Sequence, residues 1–199
     1  MRARSLDKEN TVKENAINMI GQGGLENFSI NKLAKLSKVS VATIYIYYKD
    51  KDDLIFQLAT EQGNEFADLI LKDFNPNMSF EDGLRQQWAN RYQQMMHRKA
   101  GVMFMFRLKE SPYYRDFLRV LMERMKQQLH LFLENAIERG EIDPLPMETY
   151  WSVAHAPLYS LFKFHYDGSG LDGEPYELTE SIFWQAFGLV LRALQKQSG

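Results

Sequence analysis

The sequence predicts an all-α protein. Three observations carry that prediction. Apolar residues recur at three- and four-residue spacing through most of the 199-residue chain. The periodic segments end at short breaks rich in Gly, Pro or Asn. No run of Val, Ile and Thr alternates between two turns as a half-buried strand would. A chain of this length is expected to hold one or two domains of roughly 100–200 residues each. With 45% hydrophobic and 25% charged residues it is apolar enough to bury a core.

The elements follow in order. Between Asp7 and Gln22, the residues Val12, Ala16, Ile17, Met19 and Ile20 form one apolar stripe, and Gly23-Gly24 stops the helix. Ser29 is placed to cap a second helix by accepting from a free backbone N–H. Behind it Ile30, Leu33, Ala34 and Leu36 turn inward, with Lys32 and Lys35 outside. The interruption Ser37-Lys38-Val39-Ser40 is too short for a domain linker, and Ser40 can cap a third helix with Ile44 on its apolar side. Asp50 can cap a fourth, which starts at Lys51, carries Leu54, Ile55, Leu58, Phe66, Leu69 and Ile70 inward, and is expected to continue through residues 56–74.

Beyond it the periodicity predicts five or six further helices over Phe80 to Met96, Met103 to Leu108, Tyr113 to Ala136, Met147 to His165 and Leu178 to Leu194. The breaks fall at Asn75-Pro76-Asn77, Ser111-Pro112, Gly140 to Pro146 and Asp167 to Pro175, the last expected to be mobile. Pro157 is expected to bend the helix that contains it.

Composition removes several function classes. Without cysteine there is neither a disulfide framework nor a thiolate metal site, which fits a reducing cytoplasm. The start MRARSLDKENTVKEN is charged and lacks an apolar core, so no signal peptide is expected, and no apolar run approaches the roughly 18 residues of a membrane span. His97, His130, His155 and His165 are scattered without an H-x-x-x-H pair, and the chain has no glycine-rich phosphate loop and no G-x-S-x-G element. No metal, cofactor or catalytic residue is therefore expected, and no enzyme.

The formal charge is −2, yet residues 1–55 carry nine Lys/Arg against seven Asp/Glu. Within them the stretch Asn27 to Lys49 holds Lys32, Lys35, Lys38 and Lys49 and no acid. Such a patch reads either as a face for phosphates or as ordinary solvated lysines. Two short helices joined by a tight turn behind a longer helix form a helix-turn-helix, whose second helix enters the major groove of double-stranded DNA. Val41 and Ala42 lie at the end of that helix that meets base edges. Thr43, Tyr45 and Tyr47 offer hydroxyls to phosphate oxygens, and Lys51 adds a charge at the next helix start. Tyr45 and Tyr48 can instead be core aromatics, Tyr48 in particular because it adjoins the apolar start of the fourth helix.

The run Ser37-Lys38-Val39-Ser40-Val41-Ala42-Thr43-Ile44-Tyr45-Ile46-Tyr47-Tyr48-Lys49-Asp50-Lys51-Asp52-Asp53-Leu54 resembles the signature of TetR-type (TetR/AcrR) transcriptional regulators, roughly A-G-V-S-x-G/A-T-I/L-Y-x-Y/H-F-x-x-K-x-x-L. A Gly140-Glu141-Ile142 turn, of a kind common after this family's seventh helix, adds to the likeness. The resemblance implies an N-terminal DNA-binding domain over residues 1–55 and a helical effector-binding and dimerisation domain over 56–199. It implies base-facing positions at Asn31, Val41 and Ala42 and phosphate contacts at Thr43, Tyr45, Tyr47 and Lys51. Two residues depart from the pattern. Lys38 stands where the family usually has glycine, at a turn that tends to need a positive φ, and can itself supply a phosphate contact. Tyr48 replaces phenylalanine, a small change if its hydroxyl reaches the surface. The arm Met1-Arg2-Ala3-Arg4 either enters a minor groove or has no role.

In the larger part, Trp88, Tyr92, Met95, Met96, Phe104, Tyr114 and Phe117 concentrate rings and thioethers, with Arg107, His155 and Tyr159 beside them and Arg91 in the same stripes. They read as core or as the lining of a ligand pocket; the resemblance implies an effector cavity here. Ile182, Phe183, Ala186, Phe187, Val190, Leu191 and Leu194 form an apolar stripe that either seals the core or joins Met147–His165 in a homodimer. The resulting expectation is a dimeric repressor released from a palindromic operator by a small, largely apolar effector. The alternative is a regulator or architectural protein whose second domain only dimerises.

Overall fold

In the computed structural model of the protein, residues 2–109 and 111–196 are described, with side chains from Asp7 onward. The side chains of the arm Met1–Arg4 thus lie outside the described residues. The helices are α1 (Arg2–Gly23), α2 (Ile30–Leu36), α3 (Val41–Tyr47), α4 (Lys51–Ile70), α5 (Phe80–His97), α6 (Lys99–Leu108), α7 (Tyr114–Glu138), α8 (Met147–Ala154), α9 (Ala156–Asp167) and α10 (Glu180–Leu194). Among the described residues there is no strand, only isolated bridges at Ile142–Gln195 and Ser169–Pro175. No helix among them is long and apolar enough to cross a membrane.

Local chemistry sets the boundaries. Ser29 accepts from Lys32 N–H at 3.3 Å, Ser40 from Thr43 N–H at 3.1 Å, and Asp50 from Asp53 N–H at 2.8 Å, so each capping expectation is met. Gly24 ends α1 at φ 77°. At the end of α7, Glu141 N–H reaches Ala136 O at 2.9 Å and Gly140 N–H reaches Ile137 O at 2.9 Å, with Gly140 at φ 71°. That left-handed cap closes carbonyls the helix cannot.

Three expectations are corrected. The fourth helix ends at Ile70, not near residue 74: Lys72 and Phe74 N–H groups turn back to Leu69 and Leu71, and Asp73 sits at φ 57°. The sixth begins at Lys99, a turn earlier than its apolar pattern. The segment Met147 to His165 is not one bent helix but two, divided at His155 (φ −125°, ψ −30°). Pro157 has no N–H for the carbonyl of Val153, and its ring crowds that carbonyl, so the chain restarts instead of bending.

The chain divides into two compact units, Met1–Asp68 with Gln94–Arg124 and Leu69–Gln93 with Met125–Gly199. The division falls inside α4, α5 and α7. In the first unit, Val12, Ala16 and Ile20 of α1 are buried with Leu33, Ile44, Leu54 and Leu58. Here α1 meets α6 at Gly21, where a Cβ would lie 3.2 Å from Met103 Cβ and 3.3 Å from the Ala100 carbonyl and the Phe104 nitrogen. Lys13 bridges to Glu61 at 2.6 Å and to Glu9 at 3.1 Å, and Arg98 pairs with Glu65.

In the second unit, Phe132 is fully buried, its ring 5.3 Å from that of Phe74 and stacked on Phe80 at 5.8 Å. Trp88, Tyr92, Phe162 and Phe183 form a second ring cluster with centroid distances of 4.5 Å (Tyr92–Phe183) to 6.5 Å (Phe162–Phe183). The stripe on α10 faces inward: Phe183, Phe187, Val190 and Leu191 are buried. The outward face carries Ser181, Gln185 and Leu189, the last 58% exposed.

Tyr48 is core, only 2% exposed, and its hydroxyl does not reach the surface. It has no hydrogen-bond partner among the described residues. Burial pushes it up to about 12, with the Lys13 charge opposing. A buried unpaired hydroxyl costs about 1–3 kcal/mol. Tyr48→Phe is therefore expected to stabilise the protein by about 1 kcal/mol, read as a higher midpoint in urea; a lower midpoint would show that the hydroxyl is paired.

Candidate nucleic-acid interface

The turn between α2 and α3 is built from the backbone upward. Ser37 N–H closes on Leu33 O at 2.9 Å, Val39 N–H on Ala34 O at 3.0 Å, and Lys38 N–H on Lys35 O at 3.3 Å. This pattern needs a left-handed residue after the helix, and Lys38 occupies it at φ 53°. The positive φ expected from the family's glycine is thus present without the glycine. Asn15 of α1 donates to Ser37 Oγ at 3.0 Å and fixes the turn on the supporting helix.

Burial of Ile44 fixes which way α3 faces. Ala42, Tyr45 and Ile46 are exposed together, one turn apart on the same side of the helix. Tyr45 is 50% and Ile46 76% exposed, so Tyr45 is not a core aromatic. Val41, Thr43 and Tyr47 lie at the margins, half-buried, and Asn31 is exposed on α2. Thr43 shares a 2.8 Å hydrogen bond with Ser40 Oγ, which orients its hydroxyl. Lys35, Lys38 and Lys49 are exposed around this face and stand in no ion pair among the described residues.

Lys51 is only partly free. Its ammonium donates to Phe28 O at 3.1 Å and Leu25 O at 3.4 Å and lies 5.7 Å from the Phe28 ring centroid. Of its three N–H donors two are engaged, so it braces the loop before α2 as well as adding charge. Beside it, Asp53 accepts from Gln57 and from Lys49 N–H, and these bonds hold its carboxyl below the usual range. Asp52 accepts from the Tyr113 hydroxyl at 2.6 Å. Burial and that bond push Tyr113 up to about 12.

The arrangement offers an apolar and hydroxyl-bearing ridge flanked by cations, which suits base edges and phosphates respectively. Sequence reasoning missed Ile46 and placed Lys49 only within the general basic patch. Ile46 was readable as lying four residues after Ala42; an apolar residue is simply taken as inward unless the helix's orientation is known. Lys38→Gly separates the two roles of its position. It is expected to raise stability by about 0.5–1 kcal/mol by relieving the left-handed strain, and to lower the salt slope of DNA binding by about 1 if the ammonium meets a phosphate. Thermal melts and a salt titration check the two effects independently.

The residues singled out for an effector fall in both units. Trp88, Tyr92, His155 and Tyr159 lie in the second, and Met95, Met96, Phe104, Arg107, Tyr114 and Phe117 in the first. Trp88 and Tyr92 share Phe183, at 5.2 and 4.5 Å. Tyr114 stacks on Phe117 at 6.0 Å, and Phe117 meets Phe66 edge-on at 5.6 Å. Trp88, Met95, Phe104, Phe117 and His155 are buried, whereas Arg107 is exposed. No group of three or more His, Asp or Glu able to hold a metal occurs among the described residues.

Comparison with known proteins places this geometry. The sequence profile described as "Bacterial regulatory proteins, tetR family" matches residues 14–58. A helix-turn-helix type transcriptional regulator of Haemophilus influenzae is 38% identical over 72 residues, 36% of this chain and 38% of that protein. The fatty acid metabolism regulator protein of Bacillus subtilis is 28% identical over 69 residues, 35% of this chain and 36% of that one. The chain thus matches little more than a third of the length of these curated relatives. The fold extends further. A TetR family transcription regulator from Marinobacter aquaeolei VT8 superposes with a TM-score of 0.81 at 23% identity, over 99% of this chain and 100% of that one. The transcriptional regulator FadR of Bacillus subtilis, solved with stearoyl-CoA, does so with 0.74 at 17% identity over 94% and 99%. Residues 14–58 thus match the TetR family of bacterial regulatory proteins, and the whole chain shares the all-helical fold of solved TetR-family regulators.

Proposed function

We propose that this protein is a dimeric, sequence-specific DNA-binding transcriptional regulator, a repressor that leaves a palindromic operator when a small, largely apolar effector binds. The observation that carries the reading is the outward face of α3, where Ala42, Tyr45 and Ile46 stand clear of the core between Lys38 and Lys49. One such helix reads only a few base pairs, so a two-fold pair that doubles the contact is the economical form. Residues 1–55 are assigned DNA binding, and residues 56–199 ligand response and dimerisation.

Support for the dimer comes from α10, whose outward side combines exposed Leu189 with Gly188, where an added Cβ would meet nothing closer than the Arg192 guanidinium at 3.6 Å. This is the opposite side of the helix from the stripe its sequence suggests. Support for an effector comes from the Bacillus subtilis relative that shares this fold and holds stearoyl-CoA. The effector then acts by population shift, favouring a conformation in which the two recognition helices no longer match adjacent major grooves. The curated relatives are regulators, which agrees with a protein that binds rather than converts its ligand.

The test is selection of a random duplex pool by the purified protein, followed by sequencing and the mass of the bound complex. Recovery of a palindrome held by one dimer, or by two, is the expected result. Recovery of no preferred sequence at low salt by folded protein would overturn the reading.

A further inference from the structure

Within the second unit one buried cluster is chemically unfinished. Arg91 on α5 is 1% exposed, yet no carboxylate lies within ion-pair distance of it among the described residues. Its Nε donates to Tyr159 Oη at 3.3 Å and one terminal nitrogen to Gln87 O at 3.0 Å; the other, Nη2, is buried without a partner. Around it both ring nitrogens of His155 are also buried and unpartnered, and the buried Gln87 amide and Tyr150 hydroxyl have at most one another to pair with. Gln87, Tyr150 and His155 are each 0% exposed. A protein core holds few such groups, seldom clustered, and a charge without a counter-charge is the most unfavourable kind.

Aromatic rings border the cluster. The guanidinium carbon lies 5.8 Å from the Trp151 ring, and His155 meets Trp151 at 4.9 Å and Tyr150 at 5.6 Å. Trp88 donates its indole N–H to Ala154 O at 2.8 Å, so its polar edge is satisfied and its faces remain apolar. Burial, with the Arg91 charge adding to it, holds His155 well below its usual value, so its ring is neutral and offers one donor and one acceptor. The site therefore carries one positive charge, several neutral hydrogen-bonding groups and aromatic surroundings. A neutral ligand would leave the guanidinium uncompensated, and a polyphosphate would bring more charge than one arginine balances.

We infer that this cluster is a binding site for an organic monoanion with an apolar body, a carboxylate whose oxygens accept from Arg91 Nη2 and the neighbouring neutral donors. The inference rests on the ligand-responsive reading above and adds the ligand's chemistry to it. An Arg–carboxylate pair in such surroundings is both directional and strong.

The experiment titrates the full-length protein calorimetrically with benzoate and decanoate, and with benzamide and decanamide as neutral counterparts. At least one acid is expected to bind at least about tenfold more tightly than its amide, the equivalent of one charge-assisted hydrogen bond. Arg91→Gln should erase that preference. It should also leave the free protein at least as heat-stable as before, since an unbalanced buried charge has gone; a purely structural arginine would melt lower on replacement. If Arg91→Gln fails to fold, Tyr159→Phe, which frees Arg91 Nε, is the second variant and should change carboxylate affinity at least about threefold. Equal binding of acid and amide, binding of neither acid, or full binding by Arg91→Gln would each overturn the site. DNA selection run in parallel separates the two readings. A selected operator without carboxylate binding overturns only the anion site, and carboxylate binding without a selected sequence overturns only the regulator.

Discussion

Ala42→Glu is expected to leave the fold intact and to reduce affinity for the selected operator by about 100-fold or more. The position is exposed on α3, one residue inside a helix capped by Ser40. A carboxylate there interacts favourably with the helix N-terminus, so stability should be unchanged or slightly higher. On DNA the same carboxylate would be pressed against the phosphate-lined groove, desolvated and facing like charge, and each such unfavourable contact costs several kcal/mol. Fluorescence anisotropy with the selected duplex, beside a thermal melt, gives both numbers. Unchanged affinity in a folded variant would remove α3 from the interface.

The largest stability effect is expected at Phe132. Its ring is fully buried between Phe74 and Phe80, and Gly83 makes room for it: a Cβ on that glycine would lie 2.3 Å from Phe132 Cε2. Truncation to alanine leaves a cavity the glycine cannot refill, and Phe132→Ala should cost about 3–5 kcal/mol. For a chain of this size that corresponds to a drop in melting temperature on the order of 10 °C. The complementary Gly83→Ala change overpacks the same spot and should cost about 1–3 kcal/mol. A Phe132→Ala variant that melts within about 2 °C of the parent would show that the site collapses freely.

Much of this is legible in the sequence. The capping residues Ser29, Ser40 and Asp50 act on N–H groups three residues away, so a local sequence window contains the whole interaction. The left-handed turn at Lys38 was legible only through likeness to a family, because lysine itself gives no sign of a positive φ. Other features depend on partners far along the chain. Nothing near Tyr48 announces a hydroxyl without a partner, since that outcome depends on what α1 and α4 place around it. The unfinished cluster joins Gln87 and Arg91 to residues more than 50 positions later, from Tyr150 to Tyr159; Arg91, His155 and Tyr159 stand out in the sequence as candidates, but that they meet, and meet without a counter-charge, is not legible there. Whether the α10 stripe seals the core or meets a partner stays open in the sequence for the same reason: periodicity finds the apolar side of a helix, not what covers it.

The contact between α1 and α6 at Gly21 has a mechanical meaning. Where helices meet through long side chains, rotamer changes can absorb a small shift before either backbone responds. Here glycine sits directly against Ala100 and Met103, with no side chain of its own to give way. The joint has little backlash: α6 and α1 have little room to slide independently, and α1 in turn holds the turn before α3 through the Asn15–Ser37 bond.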